Sequence, residues 1–252
     1  LRTGGKSEKL KVQALDLAEQ ADVSLLFLGL DESSESEGRD RSHMRLPDNQ
    51  LELLEALYTC GHRIVVVLSG GSPVEFPWAD MAKAILMAYL GGQAGGGAIA
   101  DLVSGKVSPS GKLAESFPLC YSDCPTANYY PGRELSAEHR ESLYVGYRYY
   151  DTAKRDVAFP FGHGLSYSRF EYSDLEINGN DLCFRLKNVG QAKAAEVVQV
   201  YVSSPDCPLF HPEKELKAFA KVELEPGEER FVRLSLDEHA FAHYSVEDGA
   251  WV

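Results

Sequence analysis

The stretch from Leu30 to Asp48 carries the residues best suited to chemistry: Asp31, Glu32, Glu35, Glu37 and Asp40, interleaved with Arg39, Arg41 and Arg45. Carboxyls crowded together raise one another's proton affinity, while an arginine beside one of them holds it as a carboxylate. A general acid working near neutral pH needs the first condition, because it must keep its proton until a leaving oxygen takes it. Glu37, followed by Gly38, is the best-placed candidate for that role. The plain alternative is a solvated acidic loop, which is what most runs of charge are.

The elements around this stretch give it a position. Leu10, Ala14, Leu17, Ala18 and Ala21 recur at helical spacing, and Val23 to Gly29 follows as a buried-strand run. Asp48 is expected to cap a second helix with Leu51, Leu54 and Leu57 on one face, Gly61 to end it, and Ile64 to Leu68 to form the next strand. Strand, helix, strand implies parallel pairing. The acidic stretch therefore leaves the carboxyl end of a parallel strand, where open α/β sheets place their ligands, and it is far longer than the ~2–6 residues such a connection needs. Ala84 to Ala88 supplies a further short strand, and Ala94 to Val103 a helix entered through glycines and closed by Gly105.

Beyond about Ser166 the period shortens. Leu182 to Leu186, Val197 to Val202, Lys217 to Val222 and Arg230 to Leu236 read as strands, with turns at Asn178-Gly179 and Pro226-Gly227. That rhythm predicts a β-sandwich. Between the halves, Ser122 to Asp156 is rich in Tyr, Arg and Pro and has no steady period, so it reads as a connector.

Bulk properties exclude several functions. The formal net charge of -13 repels nucleic acid and anionic membranes, and Lys and Arg are scattered rather than clustered. The apolar runs are far shorter than the roughly 20 residues that span a bilayer. The five cysteines form neither a CxxC pair nor a Cys/His zinc pattern, so no metal site or disulfide framework is expected. Leu1 stands where an initiator Met would, and Arg2 to Lys9 lacks the apolar stretch and cleavage site of a signal peptide. The chain reads as cut from something longer; its compartment stays open, with a cytoplasmic setting favoured over a secreted one.

Other residues invite functional readings. The glycines from Gly91 to Gly97 could cradle a phosphate at a helix N-terminus, but they match neither GxGxxG with a following acid nor a loop ending in Lys-Ser/Thr, which leaves a tight turn. His163 between two glycines could be a catalytic imidazole; Phe159, Phe161 and Leu165 around it favour a packed, hydrogen-bonded histidine. Tyr144, Tyr147, Tyr149 and Tyr150 could stack on a sugar, though packing explains them as well. Trp78 and Trp251 are expected in the core.

Ser36-Glu-Gly-Arg-Asp-Arg41 followed by Leu46-Pro47 resembles the Glu-Gly-x-Asp-Arg…Leu-Pro motif of family 3 glycoside hydrolases. Further stretches are similar to signatures of that family, in the same order: Ser72 to Trp78, Gly91 to Gly96 with Ala98 to Asp101, Pro109 to Leu113 with Phe117-Pro118, Tyr144 to Tyr150, and Phe159 to Tyr167. Val198 to Val202, Glu213 to Leu216, Pro226 to Glu228 and Trp251 resemble the fibronectin type III-like module these enzymes carry. The resemblance implies an α/β sandwich domain over residues 1–121 with its early strands missing, a connector over 122–165 and an all-β immunoglobulin/fibronectin III-like sandwich over 166–252.

It also implies an activity. The chain would be the C-terminal portion of a retaining, exo-acting, β-glucosidase-like glycosidase, with Glu37 as acid/base and Glu35 as the runner-up. Asp40 and Arg41 would anchor the loop, and the substrate would be a β-linked oligosaccharide or glycoside. No cofactor or metal is implied. The nucleophilic Asp would lie on a (β/α)8 barrel outside this chain, without which the chain would be inactive. The alternatives are a non-catalytic structural or carbohydrate-interaction module and, on the wound sheet alone, a dinucleotide-binding domain.

Overall fold

The computed structural model describes residues 5–38, 40–132, 135–205 and 209–252. They form two compact units: Leu1–Ile99 with Phe117–Arg140 and Asp156–Ala158, and Ala100–Ser116 with Glu141–Arg155 and Phe159–Val252.

The first unit is built on a parallel sheet of order β1-β2-β3, with β1 at Ser24–Gly29, β2 at Ile64–Ser69 and β3 at Ala84–Met87. Helix α1 (Glu8–Ala18) precedes β1, and α2 (Asp48–Thr59) crosses from β1 to β2. β2 is central, and Ile64, Val66 and Leu68 pack with Leu26 and Leu28 of β1 and Leu54 and Leu57 of α2 in one buried cluster. Each such aliphatic side chain withdrawn from water contributes about 1.5–3 kcal/mol before the entropy of ordering is subtracted.

Three local expectations are corrected. The residue that caps α2 is Pro47, with Asp48 inside the helix and no side-chain capping bond; Asp48 instead places its charge in the first turn, where the helix dipole favours it. The inward face of α1 is carried by Leu15 and Ala18, leaving Leu10 and Leu17 in solvent. β1 buries only alternate residues, with Phe27 66% exposed and Leu25 44% exposed on the opposite face. A strand covered on both faces would bury all of them.

Helix α3 spans Gly95–Val103, after a turn in which Gly92 is left-handed. A short ribbon pairs β4 (Phe117–Pro118) with β5 (Val157–Phe159). The stretch expected to be irregular contains a short helix, α4 (Tyr147–Thr152).

The second unit carries the sandwich. One sheet has the order β10-β7-β6, with β6 at Phe170–Asn178, β7 at Asp181–Asn188 and β10 at Glu229–Ser235; the other pairs β8 (Ala194–Val202) with β9 (Glu215–Leu224). The inner face of β7 alternates strictly, and Phe184 and Leu186 meet Val198, Val222, Leu224 and Val232. The one inward polar side chain of β7, Asn188, accepts from Ser168 Oγ and the Gly190 N–H and donates to the carbonyls of Ala192 and Leu224. Its amide is thereby satisfied while wholly buried. A last hairpin joins β11 (Tyr244–Ser245) to β12 (Ala250–Trp251). Trp251 is 57% exposed, with its ring against His239 and Tyr244, which corrects its expected place in the core; Trp78 is buried.

Candidate active site

The acidic loop begins where β1 stops, and its entry is held by backbone geometry. Gly29 lies so close to β2 that an added Cβ would sit 2.2 Å from the Ser69 carbonyl oxygen. On the side of β1 away from β2, Gln50 in the first turn of α2 clamps the backbone of Gly29, accepting its N–H at 2.9 Å and donating to its carbonyl at 2.8 Å. The return of the loop is fixed by burial of Leu46 and by a bond from the Glu75 N–H to the Met44 carbonyl at 2.8 Å. Loops so pinned at both ends can hold one or two side chains at a set place.

Within the loop, the carboxyls separate into held and free. Asp31 accepts from the hydroxyls and backbone N–H groups of Ser33 and Ser34, and those bonds, the hydroxyl ones foremost, hold its pKa below the usual carboxylate range. Glu35 accepts from the Gly71 N–H and from Ser72 Oγ, each at 2.8 Å, so the loop after β1 is tied to the loop after β2. Asp40 accepts from the Tyr130 hydroxyl at 2.5 Å, which raises the phenol pKa. Glu37 is exposed, immediately before Gly38 at φ +73°, and among the described residues neither it nor Glu32 has a hydrogen-bond or ion-pair partner. The left-handed backbone at Gly38 turns the chain directly after Glu37.

The arginines do not act as the residue pattern suggested. Among the described residues, Arg41 and Arg45 pair with none of the loop acids within ion-pair distance. Arg41 donates instead to Ser72 Oγ at 2.9 Å and to the Pro73 carbonyl at 3.1 Å. Burial lowers its pKa, an effect opposed by the nearby charges of Glu35 and Glu75. Ser72 thus receives Arg41 and gives its proton to Glu35, linking the two through one hydroxyl. Arg39 lies outside the described residues.

The loop, with Ser72, Tyr121 and Tyr130, encloses a shallow cleft of about 310 Å³. Gly71, Ser72, Gln50 and Tyr130 were not nominated by the sequence reading. Ser72 begins the Ser72 to Trp78 stretch, but nothing in residue type marks a hydroxyl at that distance along the chain as a carboxylate's partner. The other candidates fall elsewhere. His163 packs against Phe159 with ring centroids 5.4 Å apart, and its expected side-chain hydrogen bond is not found among the described residues. Tyr144 faces Phe210, Tyr147 stacks on Phe161 and Tyr149 abuts Tyr150, so the four tyrosines do not make one platform. Among the described residues no cluster of His, Cys, Asp or Glu could hold a metal ion, and no helix is long and apolar enough to cross a membrane.

Comparison with known proteins gives concordant results. Residues 2–167 match the glycosyl hydrolase family 3 C-terminal domain, and residues 196–252 the fibronectin type III-like domain. The thermostable beta-glucosidase B of Acetivibrio thermocellus is 48% identical over 100% of this chain and 34% of its own length. An exo-alpha-(1->6)-L-arabinopyranosidase of Bifidobacterium breve is 44% identical over 96% of this chain and 33% of its own. Among solved structures, the family 3 beta-glucosidase of Bifidobacterium adolescentis superposes with a TM-score of 0.94 at 44% identity, covering 97% of this chain and 37% of that one. The chain thus spans about a third of the length of the curated relatives it matches. With a matching domain over most of its residues and a superposable fold, the chain belongs to glycosyl hydrolase family 3, as that family's C-terminal α/β domain followed by a fibronectin type III-like domain.

Proposed function

We propose that this chain supplies the acid/base carboxyl, Glu37, to a retaining, β-glucosidase-like exo-glycosidase whose nucleophile lies on a (β/α)8 barrel outside it. The observation that carries this reading is the contrast within one loop: Asp31, Glu35 and Asp40 are each engaged by neighbours, while Glu37 is exposed and has no partner among the described residues. An acid that must approach a substrate cannot be spent on a fixed internal bond. Glu32 is also free, but it sits in the turn that Asp31 closes, ahead of the tie at Glu35. Glu37 lies between the ties made by Glu35 and those made by Asp40 and Arg41.

In this reading Glu35, Asp40 and Arg41 are positioning residues. Glu37 protonates the glycosidic oxygen as the barrel Asp attacks the anomeric carbon. It then deprotonates the water that releases the glycosyl-enzyme intermediate, which requires the two carboxyl groups about 5–5.5 Å apart. Glucose is supported as the sugar by the names of several relatives, but the arabinopyranosidases at 44% identity keep the glycone open.

The test is leaving-group dependence in the full-length enzyme. Glu37→Gln should lower kcat/KM on alkyl glycosides and disaccharides by about 10²–10⁴-fold, the usual worth of a general acid, while sparing the glycosylation step of dinitrophenyl glycosides. Glu32→Gln should leave both classes unchanged. Equal losses on both substrate classes for Glu37→Gln would reject the assignment.

A further inference from the structure

The segment from Cys120 to Tyr130 belongs to the first unit and touches the closing limb of the acidic loop at two points. Cys124 Sγ donates to Met44 Sδ at 3.8 Å, and the Tyr130 hydroxyl donates to Asp40 Oδ1 at 2.5 Å. A third link runs through Glu75, which accepts the Tyr121 N–H on Oε1 at 3.0 Å while its own N–H meets the Met44 carbonyl at 2.8 Å. The segment is itself tightly folded: the Cys124 N–H donates to the Tyr121 carbonyl, the Ala127 N–H to that of Cys124, and the N–H groups of Tyr129 and Tyr130 to that of Thr126, all at 2.9–3.1 Å. Tyr130 therefore reaches Asp40 from a backbone that is already docked.

Asp40 stands three residues after Glu37, beyond the left-handed Gly38, while Glu35, two residues before it, is tied to Gly71 and Ser72. The arm that carries Glu37 thus has a tie at each end. The donors at both ends are uncharged: a backbone N–H, a hydroxyl and a phenol. A guanidinium or ammonium in place of Tyr130 would hold Asp40 as firmly but would also favour ionised Glu37, against what a general acid needs. A phenol ordinarily keeps its proton to about pH 10, and its bond to Asp40 pushes that higher, so it stays a donor wherever a carboxyl acid can work. Tyr130 is 51% exposed, and a bond so open to water adds little to global stability. What it can do is set a direction.

We propose that Tyr130 is a positioning residue for the acid/base: its bond to Asp40 fixes the far end of the arm that aims Glu37. This role rests on the assignment of Glu37 as the acid/base.

The test compares Tyr130→Phe with Glu37→Gln in the full-length enzyme on alkyl and dinitrophenyl glycosides. Tyr130→Phe keeps the ring and loses the donor. It should lower kcat on alkyl glycosides about tenfold with KM within about twofold, and leave the glycosylation step on dinitrophenyl glycosides within about twofold, at an unchanged melting temperature. In an Asp40→Ala background the same substitution should cost nothing further, because two residues that act through one bond are not additive. With Glu37→Gln dependent on the leaving group, three results would overturn the role of Tyr130 and leave that of Glu37 standing: Tyr130→Phe equal to wild type on alkyl glycosides, equal losses on both classes, or a full additional loss in a folded Asp40→Ala background. A Glu37→Gln that loses both classes equally would overturn both roles.

Discussion

Glu35 accepts a 2.8 Å hydrogen bond from Ser72 Oγ, and the same hydroxyl receives Arg41 Nη1 at 2.9 Å. Two loops that leave adjacent parallel strands are thereby joined through one side chain, with the Gly71 N–H as a second tie to the same carboxylate. The bonds are charge-assisted, the class worth roughly 1.5–3 kcal/mol each where shielded and less where water competes.

Removing that carboxylate should loosen the loop before it unfolds the domain. Glu35→Ala is expected to raise the hydrogen-exchange rate of the Gly71 amide about tenfold or more, the equivalent of about 1.4 kcal/mol, with a smaller effect on the β2 amides. Glu35→Gln keeps one acceptor and should fall between. Unchanged Gly71 protection in Glu35→Ala would show that the tie carries no load in solution.

Gln50 poses a sharper case, because both halves of its amide are used on one residue's backbone. Gln50→Leu leaves the Gly29 N–H and carbonyl without these partners and should cost about 1–3 kcal/mol in urea unfolding. Gln50→Glu can still accept the N–H but places a carboxylate against the carbonyl oxygen, so it should not restore stability. A Gln50→Leu midpoint equal to wild type would argue that water replaces the clamp at no cost.

Gly29→Ala should be worse than either. Its Cβ would fall 2.2 Å from backbone that belongs to the neighbouring strand and cannot swing away. The β1–β2 pairing must then shift, at a cost expected to exceed about 3 kcal/mol, read as a large fall in melting temperature or loss of soluble protein.

Asp31 makes the loop sensitive to acid. Its pKa is lower folded than unfolded, so the stabilisation is present above the unfolded carboxylate value near 3.9 and is lost as pH falls through the folded value. The amide resonances of Ser33 and Ser34 should therefore titrate together below about pH 4, and Asp31→Asn should abolish that step. A step unchanged in Asp31→Asn would assign it to another carboxyl.

Much of this protein was legible from residue order because short-range patterns decide it. Val23 to Gly29 and Ile64 to Leu68 are apolar runs of strand length with a helical period between them, and parallel pairing then follows from the length of the crossover alone. The strict alternation of β7 is likewise a local signal. β6 escaped because its side chains are nearly all exposed and its pairing is interrupted between Ser173 and Glu176, where Asp174 takes φ +55°, so the alternation of Phe170 and Tyr172 falls out of step with that of Leu175 and Ile177. The short helix Tyr147–Thr152 escaped because six residues carry too little period to read.

The acidic loop divides the same way. Residue types put Asp31, Glu32, Glu35, Glu37 and Asp40 with three arginines in one long connection, which is visible in one dimension, and the family resemblance narrowed them to Glu35, Glu37, Asp40 and Arg41. Which of them is held and which is free was decided by Gly71, Ser72, Pro73 and Tyr130, residues 30 to 90 positions away. A carboxylate's neighbours within hydrogen-bond reach are set by how strands stack side by side, and that proximity has no counterpart in the order of the chain.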